Sequence, residues 1–200
     1  PPPPLKLNPY SSGSDDDKDG DKSSTVCALE FIDETNSLYQ LVDVEKSQVE
    51  KNSRLVLNHD GACGVCSSLH DYVAMVRIKN GVDPKLRPYD FHYCMTVGFL
   101  SRDWGVECFR NAGFTAPCAE LLYYRAGAAR NTCIPECISS SSMEQCITDC
   151  DASKNAAVFT KYGGRDFGMD FDFDTFTGKL PQISKSMLEK AKAWEPPQYD

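Results

Sequence analysis

The sequence predicts a mainly α, disulfide-rich helical bundle with a small N-terminal β-hairpin and extended tails. Three observations predict it. Ten cysteines among 200 residues are many for a reduced compartment, and the even number is what a disulfide framework needs. From residue 67 onward, apolar residues recur at helical spacing between residues that cap helices. Ahead of that point, two β-rich runs flank a cluster of turn formers.

Residues 1–24, PPPPLKLNPYSSGSDDDKDGDKSS, are rich in Pro, Ser, Gly and Asp and lack apolar periodicity. Such a segment buries too little surface to offset its ordering entropy, so it is expected to be disordered unless a partner surface holds it. The chain opens on four prolines rather than Met, the expectation for a processed product or part of a longer chain. Residues 25–180 are read as one disulfide-rich domain and 181–200 as a C-terminal helix and tail.

Within the domain, TVCALEFI and LYQLVDV form the hairpin around DETNS, and RLVL at 54–57 offers a short third strand. Ser67 or Ser68 can cap a helix through LHDYVAMV. YDFHYCMTVGFLSRDWGVECFRNAGF reads as one longer helix closed by Gly113. Thr115 caps the next, with Pro117 in its first turn, running through CAELLYYRAGAARNTC. Ser141 and Glu144 have capping-box spacing for a fourth. DFGMDFDFDTFTGKLP looks extended, its Asp170, Asp172 and Asp174 alternating with Phe171 and Phe173 as in a strand with one buried face. Ser184 can cap a last helix, SMLEKAKAW.

Ten cysteines allow hundreds of pairings. Helical spacing narrows them. Cys133 and Cys137 lie one turn apart, as do Cys146 and Cys150. Two antiparallel helices joined between them set Cys137 opposite Cys146 and Cys133 opposite Cys150. Cys108 and Cys118 flank a helix–helix turn and can clasp it. That leaves two arrangements for the rest. Either Cys27 and Cys94 each bond one member of the Cys63–Cys66 pair, or Cys63 bonds Cys66 and Cys27 bonds Cys94.

The stretch HDGACGVCSSLH, residues 59–70, admits three chemistries. As a redox dithiol, Cys63 and Cys66 form a C-x-x-C pair ahead of a helix whose amide dipoles would lower a thiol pKa. No βαβ context surrounds it, and eight other cysteines compete for the pair. As a zinc site, His59, Cys63, Cys66 and His70 are the right ligand types but crowd into twelve residues. As framework half-cystines they need nothing further, and that is the reading favoured here. A calcium-loop opening also occurs in the tail, at Asp15, Asp17, Asp19 and Gly20. Its twelfth position is Val26 rather than Glu, so a solvated acidic spacer describes it better. The sequence shows no Ser-His-Asp set, Gly-rich phosphate loop or carboxylate pair, and no cofactor is expected.

The twin C-x3-C arrangement resembles the α-hairpinin scaffold and, more loosely, the twin-cysteine proteins of the mitochondrial intermembrane space. From residue 56 to about 150 the chain also resembles an uncharacterised cysteine-rich family of algae and other protists. That resemblance rests on LNHDGACGVCSSLHD, CFRNAGFTAPCAELLYY, RNTCIPEC and CDASKNAAVFTKYGGR, in that order. It implies a secreted or lumenal protein and supports framework roles for Cys63 and Cys66. It implies no activity or cofactor.

A net charge of −8 with no basic stripe disfavours a nucleic-acid partner. No apolar run reaches the roughly 18 residues of a membrane span, though a place peripheral to a membrane complex is open. The expectation is therefore a non-enzymatic accessory subunit, bound to protein subunits of a larger photosynthetic or respiratory assembly. Its compartment is oxidising: a thylakoid lumen, an intermembrane space, or the cell exterior. Two alternatives are a thiol–disulfide oxidoreductase using Cys63 and Cys66, and a secreted calcium- or carbohydrate-binding protein.

Overall fold

The computed structural model describes residues 8–11, 24–33, 38–80 and 91–165. The expected hairpin is present as β1 (Thr25–Asp33) and β2 (Leu38–Glu45), paired antiparallel from Thr25↔Glu45 to Phe31↔Tyr39. A third strand, β3 (Leu55–Asp60), pairs antiparallel with the other edge of β1, giving the order β2-β1-β3. As the central strand, β1 is covered on both faces, and Val26, Cys27, Ala28 and Leu29 are all buried. Between β2 and β3 lies a short helix of fewer than two turns, α1 (Lys46–Lys51), which the sequence pattern does not predict.

The helical layer follows as α2 (Leu69–Asn80), α3 (Phe91–Gly98), α4 (Arg102–Asn111), α5 (Ala116–Cys137), α6 (Met143–Lys154) and α7 (Ala156–Gly163). Its core gathers Met75, Phe109, Phe114, Leu121, Leu122 and Phe159. A smaller cluster of Leu29, Phe31, Val56 and Leu69 joins the sheet to the start of α2. The molecule is thus helix-rich, with a small antiparallel sheet and five disulfides.

The stretch expected as one helix up to Gly113 is broken. α3 ends in a tight turn in which the amides of Phe99 and Leu100 donate to the carbonyls of Thr96 and Val97. α4 then folds back, and the Cys94–Cys108 disulfide joins the two helices. A Cβ on Gly105 would lie 2.7 Å from Gly98 Cα and 2.9 Å from a Tyr123 ring carbon, so small residues at both places permit the crossing. Gly113, at φ +102°, follows the C-terminus of α4 and closes the stretch as expected.

Two expected caps differ. Thr115 precedes α5, but its side chain does not cap that helix; its hydroxyl and amide both donate to Asp71 of α2, at 2.9 and 2.7 Å. α6 begins after Ser142 rather than Ser141, with no side-chain cap. α7 is additional. Asn155 closes α6 through its amide and accepts the amide of Phe159 at its carbonyl, so one residue ends one helix and starts the next.

The tail reading is corrected at residues 8–11. Pro9 is buried and Tyr10 packs against the main core, so this part of the tail rests on the chain's own body. The calcium candidates Asp15, Asp17 and Asp19, the extended stretch with Asp170, Asp172 and Asp174, and the Ser184 helix lie outside the described residues.

Candidate functional site

Every cysteine is oxidised, and the pairing decides how residues 59–70 should be read. Cys63 bonds Cys27 of β1 and Cys66 bonds Cys118 of α5, so the two members of the C-x-x-C hold different elements. The clasp between Cys108 and Cys118 is not formed. Cys108 bonds Cys94 across the α3–α4 corner instead, because the chain reverses there and brings α3, not α5, alongside it. The two rungs Cys133–Cys150 and Cys137–Cys146 join α5 to α6.

The backbone between Cys63 and Cys66 has a second task. Helix C-termini leave orphan carbonyls. Those of Tyr162 and Gly163 at the end of α7 accept the amides of Val65 and Cys66, each at 3.0 Å. The approach requires glycine. A Cβ on Gly64 would lie 2.3 Å from Gly163 C and from Gly164 N. Gly164, at φ +83°, closes α7 with a left-handed turn, as glycine commonly does.

Below this clamp lies a buried polar cluster. His59 Nε2 sits 2.7 Å from Ser67 Oγ, and its Nδ1 sits 2.9 Å from the Asp60 carbonyl oxygen. That carbonyl accepts only, so Nδ1 carries the proton and Ser67 donates to Nε2. The Gly64 amide donates to Ser67 Oγ at 2.8 Å. A serine–histidine pair invites a catalytic reading, but Ser67 is fully buried and no carboxylate orients the ring. A Cβ on Gly164 would meet Ser67 Oγ at 2.3 Å, so the backbone of α7 roofs the hydroxyl. Burial, and then the Arg165 charge, push the His59 pKa down to about 4. Neutral imidazole is the form this arrangement uses.

Arg165 enters the cluster directly after the α7 turn. Its guanidinium donates to Asn58 Oδ1 and to the Ser67 carbonyl, and lies 4.8 Å over the Tyr72 ring. Burial lowers its pKa to about 10. Asp71 is also fully buried and accepts from the Ser68 hydroxyl, the Thr115 hydroxyl and the Thr115 amide. Burial pushes its carboxyl up to about 6, against those donors. It ties the start of α2 to the start of α5.

The sequence alone does not single out Asn58, Asp71 or Arg165; the available signal is the Gly-Gly-Arg ending of the run from Cys150. The zinc set His59, Cys63, Cys66 and His70 is not assembled, since both sulfurs are in disulfides with other residues. Among the described residues, no group of three or more His, Cys, Asp and Glu is placed to hold a metal ion. A groove of about 390 Å³ lies beside α1, floored by Val42, Val44 and Leu55 with Glu30 and Lys51 among its lining residues.

The feature most suited to recognition is the α3–α4 corner. Leu100 and Trp104 are 75% and 61% exposed, with Phe99 and Tyr93 also exposed nearby in sequence. Arg130 of α5 stacks 4.6 Å from the Phe99 ring centre. The Cys94–Cys108 disulfide and the glycine crossing hold the backbone that presents these side chains.

One family profile matches the chain. It describes a family of unknown function (DUF8771) and covers residues 102–168, from the start of α4 past Arg165. This third of the chain holds six of the ten cysteines. The match spans the helical hairpin and the α7 side of the clamp, while the sheet and residues 58–71 lie outside it. No curated protein and no solved structure matches the chain.

Among the described residues, no helix is long and apolar enough to cross a membrane. Five disulfides with no cysteine left reduced are the product of an oxidising environment.

Proposed function

We propose that this protein is a non-enzymatic structural subunit that docks through its α3–α4 corner onto a protein partner in a larger assembly. The compartment would be an organelle lumen or the cell exterior, and a photosynthetic or respiratory complex is the assembly the resemblance favours. One observation carries the reading: apolar side chains stand exposed on a corner held by a disulfide. Interface anchors are enriched in Trp, Tyr and Arg, and rigid presentation lowers the ordering cost of binding. Scattered exposed apolar residues are ordinary, but these four fall within twelve residues of sequence around one disulfide-held corner, which favours a recognition role.

The occupant is an apolar protein groove with a basic rim. The net charge of −8 would speed encounter with such a rim and repel acidic surfaces. The oxidoreductase alternative loses its main support, since Cys63 and Cys66 are bonded to Cys27 and Cys118 rather than to each other.

Cross-linking mass spectrometry on the native particle tests the proposal. Cross-links from Arg102 or Arg110 peptides to another polypeptide are expected, together with loss of co-purification in Leu100→Asp. Migration of the native protein as a free monomer, with the corner peptides linked only to their own chain, would overturn it.

A further inference from the structure

We propose that the free edge of β2 binds an extended segment of a partner protein, one whose side chains alternate between basic and apolar. This inference does not depend on the α3–α4 corner and holds or fails without it.

The ladder fixes which backbone groups are free. The Lys46 amide donates to the Ser24 carbonyl at 3.0 Å, and the Phe31 amide donates to the Arg54 carbonyl at 3.1 Å. Along an antiparallel strand, successive residues bond to opposite neighbours in turn. Even-numbered residues of β1 therefore bond β2, and odd-numbered ones bond β3. Through the pairs Val26↔Val44 and Ala28↔Val42, the backbones of Val42 and Val44 turn inward. Those of Leu41 and Asp43 turn outward, where no further strand lies among the described residues. Donors and acceptors repeating at every second residue match another extended backbone, which adds to a sheet edge as a new strand.

Edge strands are commonly guarded by Pro, Lys or a bulge. LYQLVDVE contains neither residue, and the register shift of this pair lies at its far end, between Phe31 and Asp33. Its two acids are held in place. Asp43 accepts the Cys63 amide at 2.6 Å, and Glu45 accepts the Ser24 hydroxyl. The Glu45 amide donates to Gln48 Oε1 at 3.1 Å, so the open ladder ends at Asp43.

Side chains specify the occupant. On the face beside α1, Val42 and Val44 floor the groove with Leu55, so residues laid opposite them should be apolar. On the other face, Asp43 and Glu45 are exposed and acidic, so Lys or Arg suits the positions opposite them. A second copy of β2 would double the acids along the ladder and supply no cation, and each chain carries a net charge of −8. A partner's segment is therefore the better occupant. Laid antiparallel, Lys-Val-Arg-Val-Thr sets its Lys opposite Glu45, its Arg opposite Asp43 and its Thr opposite Leu41.

The test uses the full oxidised chain with labelled peptides of that sequence, read by fluorescence anisotropy and amide hydrogen exchange. In the free protein, the Val42 and Val44 amides should exchange slowly and those of Leu41 and Asp43 quickly. Bound peptide should slow Leu41 and Asp43. N-methylation of the peptide's Arg amide, which would donate to the Asp43 carbonyl, should weaken binding about tenfold. N-methylation of the Val amide opposite Val42, which faces away from β2, should leave binding unchanged. Glu in place of both Lys and Arg should weaken binding about tenfold. No binding at millimolar peptide, or equal binding of the two N-methylated peptides, would overturn the proposal. So would slow exchange of Leu41 and Asp43 in the free protein at every concentration, since the edge would then be covered already. Protection of these amides that grows with protein concentration would overturn the choice of occupant and assign the edge to a second copy.

Discussion

In the α5–α6 hairpin, disulfides join residues that helix geometry already sets side by side. Around Cys63 and Cys66 they join elements that nothing local brings together. The hairpin rungs close 17 and 9 residues of chain, whereas Cys27–Cys63 closes 36 and Cys66–Cys118 closes 52. The hairpin adds the Arg125–Asp151 pair and a Glu136–Lys154 pair between the same helices, so its cross-links are redundant. At the clamp, Cys66–Cys118 is backed by the Asp71–Thr115 hydrogen bonds, but it closes a loop far longer than either hairpin rung does. Equal numbers of cysteines thus reinforce a local motif in one place and define tertiary structure in the other.

The largest effect that separates the two regions is loss of a long-range bond. By chain entropy, a 52-residue closure contributes about 4 kcal/mol and a 9-residue closure about 2.6 kcal/mol. The double variant Cys66→Ala/Cys118→Ala should therefore lose more stability in urea unfolding than Cys137→Ala/Cys146→Ala. Equal losses would show that the clamp is as redundant as the hairpin. Exposure sharpens the contrast: Cys66 and Cys118 are fully buried, while Cys146 and Cys150 are half-buried. Graded reduction should open the hairpin rungs before Cys66–Cys118.

Glycines give the next contrast. Gly64→Ala places a Cβ 2.3 Å from the α7 backbone, and backbone cannot yield as a side-chain tip does, so a loss of about 3 kcal/mol is expected. Gly127, inside α5, has nothing within 4 Å of its would-be Cβ. There Gly127→Ala should raise stability by about 0.5–1 kcal/mol through helix propensity. The same substitution should thus carry opposite signs in the two regions, and matching signs would break the comparison.

Legibility in the sequence follows the same division. The rungs of the hairpin are readable because a helical turn moves both partners along the axis together, which fixes Cys133 opposite Cys150 once Cys137 faces Cys146. The partners of Cys66 and Cys108 are not readable. They depend on the chain breaking at Phe99–Ser101, and the signal for that break is the close packing of Gly98 on Gly105 rather than any turn sequence. The sequence predicts Thr115 as a local cap, yet its donors go to Asp71, 44 residues away. A threonine before a helix looks the same in either case. Arg165 and Asn58 carry no signal in the sequence because their partners converge only after folding.

Asp71 is the hinge of the clamp, and its removal comes next in size. Asp71→Ala leaves the Thr115 amide and two hydroxyls without their acceptor and should cost about 2 kcal/mol. Asp71→Asn keeps one acceptor oxygen and should cost less.

The smallest effect concerns pH. The folded pKa of Asp71, about 6, lies above its ordinary 3.8, so its contribution is greatest below pH 4 and declines as pH rises through 6. That of His59, about 4, lies below its ordinary 6.5, so its contribution is present above pH 6.5 and is lost as pH falls through 4. These slopes oppose each other, and wild-type stability should be nearly flat between pH 4 and 6. His59→Gln, which keeps an acceptor for Ser67, should expose the Asp71 slope, with urea midpoints falling as pH rises. A midpoint that rises with pH in that variant would place the controlling titration elsewhere.

Non-reducing peptide mapping of the native protein tests the central claim most directly. Cys63 should be recovered joined to Cys27 and Cys66 joined to Cys118, each half of the C-x-x-C in a different cross-linked peptide. A peptide in which Cys63 is bonded to Cys66 would contradict the clamp and return the motif to redox chemistry.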